Sequence, residues 1–205
     1  MHAITSLIEL TGGQKSAVEG DGPARRTRLA LMATAASCVG ASLFGLAAGS
    51  ADGGLAAANL LKLPMVVVLS AVAALPAGLL AWKVTDAKIR VTDLLVSLAA
   101  ANMTATMVLT AAAPLVALYY VTDSTWGGPL AMGTCFLAIG VGGFTYFRAI
   151  KLRLPEDVSR RQIWIPLAVL IIFQLIALVQ LVGIASPILP EVTPFSGGAD
   201  GLVTF

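Results

Sequence analysis

The residues of this chain with the most scope for chemistry are few and uncharged. Asn102, Thr106 and Thr110 recur at every fourth position, so a helix gathers them into one polar stripe. Such a stripe serves either as a hydrophilic path or headgroup site, or as a row of hydrogen bonds to neighbouring helices. The second use is the expected one, at about 0.6 kcal/mol for each bond. Gln174 and Gln180 are six positions apart, face different directions and need separate partners. The single histidine, His2, gives no support for a His-based catalytic or metal centre. Gly13-Gln14-Lys15-Ser16 lacks the adjacent Gly-Lys pair and the upstream glycine of a phosphate-binding loop. Asn102-Met103-Thr104 fits a glycosylation sequon in a stretch too apolar to meet a transferase. The chain therefore reads as non-enzymatic, with no catalytic residue, no metal and no cofactor.

The elements that hold these residues are set by hydropathy. Residues 29–51, 63–82, 94–122, 124–147 and 162–190 carry no charge, and each stretch reaches the length of about 20 apolar residues that crosses a bilayer core. The composition agrees: 58% hydrophobic, 12% charged, with mean hydropathy +0.89. A soluble domain carries about 25% charged residues. With 205 residues, five such helices leave no room for a separate soluble domain. The expected architecture is an all-α bundle of five transmembrane spans. Its parts are an N-terminal segment 1–28, a membrane domain 29–190 and a tail 191–205.

Charge orients the bundle. Lys15, Arg25, Arg26 and Arg28 precede the first stretch; Lys83, Lys88 and Arg90 lie between the second and third. Arg148, Lys151, Arg153, Arg160 and Arg161 lie between the fourth and fifth. The remaining connections hold one base, Lys62. Positive segments stay in the cytoplasm, which predicts an inside N-terminus and an outside C-terminus. The bases from Arg25 onward, Lys62 apart, are also candidate contacts for anionic lipid headgroups or an acidic partner. They form no long basic run with interleaved aromatics, so nucleic acid is not an expected partner. Asp86, Asp93, Glu156 and Asp157 sit among these bases and read as a solvated, salt-bridged surface.

Other residues refine the picture. Trp82, Tyr146 and Trp164 are expected at one membrane surface and Tyr119, Tyr120 and Trp126 at the other, as aromatic belts. Cys38 and Cys135 fall inside spans and imply no disulfide framework. The basic cluster at Arg25 precedes a run too long for a signal h-region, which predicts an uncleaved anchor. Ile4, Leu7 and Ile8 share one face of a short candidate helix over 1–10, and glycines and Pro23 mark 11–24 as a linker.

Ser37, Ala41, Gly45 and Gly49 recur at four-residue spacing and form the strongest helix-packing face, with a partner expected inside the same chain. Residues 50–62 read as a connection, and Pro64 as the first turn of span two. Pro76 and Pro114 are expected bends. Thr92-Asp93 reads as the start of span three, and Pro155-Glu156-Asp157 as the start of the fifth helix. The short turn at Asp123–Gly128 makes spans three and four antiparallel neighbours. Gly133, Gly140, Gly142 and Gly143 predict close packing of span four.

Residues 60–185 resemble a group of uncharacterised bacterial polytopic membrane proteins. The likeness rests on Leu61-Lys62-Leu63-Pro64, Ala113-Pro114-Leu115 and the glycine-rich span four. The arrangement of five spans with a short tail is more distantly similar to the Yip family of membrane-traffic proteins, although that family's Asp-Leu-Tyr-Gly-Pro signature is absent. Some members of the bacterial group carry an actin-binding label; the Leu-Lys-Lys core it needs is absent here. The resemblance carries over no functional residue; the Ala- and Gly-rich composition points to a bacterial cytoplasmic membrane, with a eukaryotic endomembrane as the alternative.

Two functions fit these readings. One is an anchor, scaffold or accessory subunit, with a protein partner or a second copy. The other is a small oligomeric permease, channel or lipid-handling protein that uses the Asn102–Thr110 stripe.

Overall fold

The computed structural model describes Glu9 and residues 22–86, 90–122, 124–153 and 159–185. They form five helices: α1 (Pro23–Ala48), α2 (Gly53–Val84), α3 (Val91–Thr122), α4 (Ser124–Lys151) and α5 (Arg160–Ala185). Each is long and apolar enough to span a bilayer, so the chain is a multi-pass membrane protein with an all-helical fold. The short candidate helix at the N-terminus (Glu9 aside), Lys15, Lys88, Asp123, Pro155–Asp157 and the tail 191–205 lie outside the described residues.

Helix ends depart from the hydropathy boundaries because caps, not charges, set them. Pro23 occupies the first turn of α1, where its missing N–H is no loss, so the helix begins within the expected linker 11–24 and carries Arg25, Arg26 and Arg28. Asp52 caps α2: its carboxylate accepts from the Gly54 and Leu55 amides at 2.7 and 3.2 Å. The expected connection 50–62 is therefore mostly helix, and Pro64 is interior to it. The carbonyl of Leu60 loses its helical donor at Pro64. Ser42 of α1 donates to that carbonyl at 2.8 Å instead. Helix α3 starts at Val91, with the Asp93 and Leu94 amides bonded to the Arg90 carbonyl, so Thr92 is not its cap. Trp126, Gly127 and Gly128 belong to α4, not to a turn. Ser159 and Gln162 cap α5 reciprocally, the Ser159 amide donating to the Gln162 side chain at 3.0 Å. The fifth helix thus begins later than the Pro155 motif implies.

Lateral order follows packing rather than sequence. Helix α1 packs on α3 and α2, α4 packs on α3, and α5 packs on α2; the row runs α4–α3–α1–α2–α5. The chain neighbours α2 and α3 barely touch, and so do α4 and α5. The row curls, because all five helices line one central cavity.

Small residues make the tightest crossings. Gly45 and Gly49 meet the α2 backbone so closely that an added Cβ would lie 2.5 Å from the Asn59 carbonyl oxygen and 2.5 Å from the Ala56 nitrogen. Ser37 and Ala41 are buried on the same helix. On span four the expectation needs correction: Gly142 meets α3 at Ala101 and Ala105, but Gly133 and Gly140 face open space.

The aromatic belts also need correction. Trp126 and Trp164 are more than half exposed, and Tyr119 is exposed too. Trp82, Tyr120 and Tyr146 are buried and belong to core clusters. Proximity to a span end does not separate a lipid-facing ring from one that packs inward.

Candidate functional site

The end of the bundle where α1, α3 and α5 begin and α2 and α4 finish holds most of the bases, and it is tied shut. Arg26 of α1 donates to Asp93 of α3 at 2.8 Å, both side chains being 13% exposed. Arg153, just beyond α4, donates to the Ser97 hydroxyl of α3 at 2.7 Å and to the Ala149 carbonyl at 3.0 Å. Burial lowers the Arg153 guanidinium below its ordinary value, while the Asp93 charge opposes that shift and Arg26 adds to it. Asp93 thus ties α1 to α3, and Ser97, four residues on, ties α3 to the end of α4. Gln162 of α5 donates to the Thr85 carbonyl at the end of α2 at 3.2 Å. Phe147 of α4 stacks on Trp164 of α5 with ring centroids 4.6 Å apart. Beneath these lies a core cluster that includes Trp82, Leu94, Tyr146, Ile150, Ile163 and Leu167.

Arg26 and Arg153 are therefore not lipid-facing contacts. Arg25, Arg28, Lys83, Arg90, Arg148, Lys151 and Arg161 are exposed. Asp93 is part-buried against Arg26 rather than a solvated surface acid.

The opposite half is open. Beyond Leu170 no described residue of α5 is buried, and no core cluster includes a residue of α5 beyond Ile171. Between α4, α5 and the other three helices lies a cavity of about 340 Å³. Its wall is almost entirely apolar, with Phe44, Leu63, Leu109, Met132, Leu175 and Val182 among its residues. That volume falls in the range of about 300–1,000 Å³ typical of small-molecule sites. A second space of about 220 Å³ lies between α1 and α2 above α3, on the side of the basic end. Val67, Leu98 and Asn102 line both spaces.

The expected polar stripe is divided. Thr106 is buried, and its hydroxyl donates to the Asn102 and Met103 carbonyls of its own helix, both at 3.0 Å. Thr110 donates to the Thr106 carbonyl at 2.7 Å. Both threonines back onto α1, where a Cβ on Gly40 would lie 2.8 Å from the Thr110 hydroxyl. The protons of both hydroxyls are thus committed to the carbonyls of their own helix. Asn102 behaves differently: its side-chain oxygen accepts from the Gln174 amide of α5 at 3.0 Å. That pair sits in the cavity wall, and Gln180 is exposed elsewhere. Hydrogen-bonding capacity in the sequence hinted at Asn102; its pairing with Gln174 required the lateral helix order.

Among the described residues no group of histidine, cysteine, aspartate and glutamate is placed to hold a metal ion. No family model, curated protein or solved structure matches the chain.

Proposed function

We propose that this protein is a non-enzymatic lipid-handling protein of a bacterial cytoplasmic membrane, with its N-terminus in the cytoplasm, and that it holds a hydrocarbon chain in the cavity between α4 and α5. The observation that carries the reading is the cavity itself. It is apolar, bordered by all five helices, and bounded on one side by two helices that scarcely touch. Away from the Asn102–Gln174 pair, water is a poor occupant of so apolar a space, since an ordered water needs two to four polar partners. The bilayer outside the α4–α5 gap supplies acyl chains. The charge asymmetry supports the orientation, because basic segments are retained on the cytoplasmic side.

This reading prefers the lipid-handling function over the anchor or scaffold because the packed faces of α1 are occupied within the chain, by α2 and α3. The test is purification in mild detergent followed by native mass spectrometry. The expected result is retained lipid at a fixed ratio to protein, lost in Leu178→Trp, which fills the cavity from α5. A chain that keeps no lipid but co-purifies with a stoichiometric protein partner would overturn the reading in favour of the anchor.

A further inference from the structure

Two amide side chains, Asn102 and Gln174, stand in the wall of the cavity. Asn102 lies eleven residues into α3 and Gln174 fourteen into α5, about 17 and 21 Å along helices that rise about 1.5 Å per residue. Both depths fall near the middle of a bilayer core of roughly 30 Å. One hydrogen bond joins the two amides. Each amide carries a carbonyl oxygen and an NH₂ group, so one bond leaves an NH₂ donor on one residue and a carbonyl acceptor on the other. Either orientation of the two amides gives this result. Neither spare group has a protein partner among the described residues, and both side chains are only partly buried and line the cavity.

A spare donor on one residue and a spare acceptor on its bonded partner match a hydroxyl group, which accepts through its oxygen and donates its proton. A phosphate does not fit. No cationic side chain lines the cavity, and a charge at this depth without a counter-ion is strongly disfavoured. A bare alkyl chain would leave both amide groups unsatisfied in hydrocarbon. We infer that the Asn102–Gln174 pair is the head-group site for an uncharged long-chain lipid bearing a free hydroxyl, such as a long-chain alcohol or a diacylglycerol. Its chain runs along the α4–α5 cavity toward the gap between those helices. This inference rests on the cavity holding a hydrocarbon chain and adds the chemistry that the cavity selects.

The test compares two probes on the unmodified full-length protein in phosphatidylcholine nanodiscs. One is a diazirine-bearing sixteen-carbon alcohol; the other is its methyl ether, equal in chain but without the donor. Photolabelling sites are mapped by mass spectrometry. The alcohol should label cavity residues such as Met132 and Leu175, and the ether should need about tenfold more probe, as expected for loss of about one well-formed buried hydrogen bond. Unlabelled diacylglycerol should compete, and a triacylglycerol should not. In the double variant Asn102→Leu with Gln174→Leu, which removes both amides, the preference for alcohol over ether should vanish while cavity labelling persists. The swap Asn102→Gln with Gln174→Asn keeps both amides and should restore the preference. Equal labelling by alcohol and ether would overturn the head-group site and leave the chain-holding cavity standing. Cavity labelling by neither probe would overturn both.

Discussion

The two halves of the bundle are built on opposite principles. At the basic end, charged and polar groups cross between helices: Arg26 to Asp93, Arg153 to Ser97, Gln162 to Thr85, with Phe147 stacked on Trp164 above a shared core. In the other half α1, α3 and α4 stay packed through Phe44, Leu109, Val116 and Ala138, while α5 stands away from α4. Lipid tails are as apolar as leucine, so hydrophobicity alone does not pull a helix such as α5 onto its neighbours. Directional bonds and close backbone contact must do it. Where they are present the helices close; where they are missing a cavity opens. The Asn102–Gln174 bond lies at the border of the two regimes.

The sharpest test of this contrast is cross-linking. With Cys38 and Cys135 replaced by alanine, cysteines at positions 147 and 164 should be joined almost completely by a short bis-thiosulfonate reagent. Cysteines at 132 and 178, on facing walls of the cavity, should react slowly, and more slowly still once a lipid fills the space. Equal rates at both ends would mean that α5 is held as firmly along its whole length.

The next largest effect should come from Asp93. Asp93→Leu leaves the Arg26 guanidinium part-buried without its carboxylate, and breaking a part-buried ion pair in this way costs about 2–4 kcal/mol. The readout is the thermal midpoint in detergent. An unchanged midpoint would show that the guanidinium finds another anion, lipid phosphate included, and that the polar tie is dispensable. Below it in size stands Gly45→Val, whose side chain would collide with the Asn59 backbone, for about 1–3 kcal/mol. Gly140→Ala, in open space, should stay within about 0.5 kcal/mol of the parent. If the two glycine variants behaved alike, close approach would not be what holds α1 to α2.

The contrast also explains what was legible in the sequence. Span number and type follow from charge-free stretches alone. The packing face of α1 was legible because Ser37, Ala41, Gly45 and Gly49 repeat at helical spacing. The inward turn of Trp82, Tyr120 and Tyr146 was not, since a ring near a span end has the same composition whether it meets lipid or protein. Arg26 and Arg153 resemble their exposed neighbours in sequence; only the docking of α1 and α4 on α3 separates them. The glycines of α4 show the same limit, because one periodic pattern covers Gly142 against α3 and Gly140 against nothing. The capping pair Ser159 and Gln162 was readable and was overshadowed by the acidic Pro155 motif. The cavity had no local signal, because it arises from the absence of contact between sequence neighbours.

The smallest effect tests the same idea at a single bond. Pro64 frees the Leu60 carbonyl, and Ser42 answers it from α1 at 2.8 Å. Ser42→Ala should cost about 0.5–1 kcal/mol, the usual worth of an interhelical hydrogen bond in a membrane. In a Pro64→Ala background the helix regains an N–H for the Leu60 carbonyl, so the serine becomes largely redundant and its removal should cost almost nothing. A double-mutant cycle on the two positions isolates that coupling. Coupling near the full cost of Ser42→Ala would establish that a broken helical bond is what recruits the serine, and so helps to fix α1 on α2. Purely additive effects would mean that the contact between Ser42 and Leu60 follows from the Gly45 and Gly49 crossing and contributes nothing of its own.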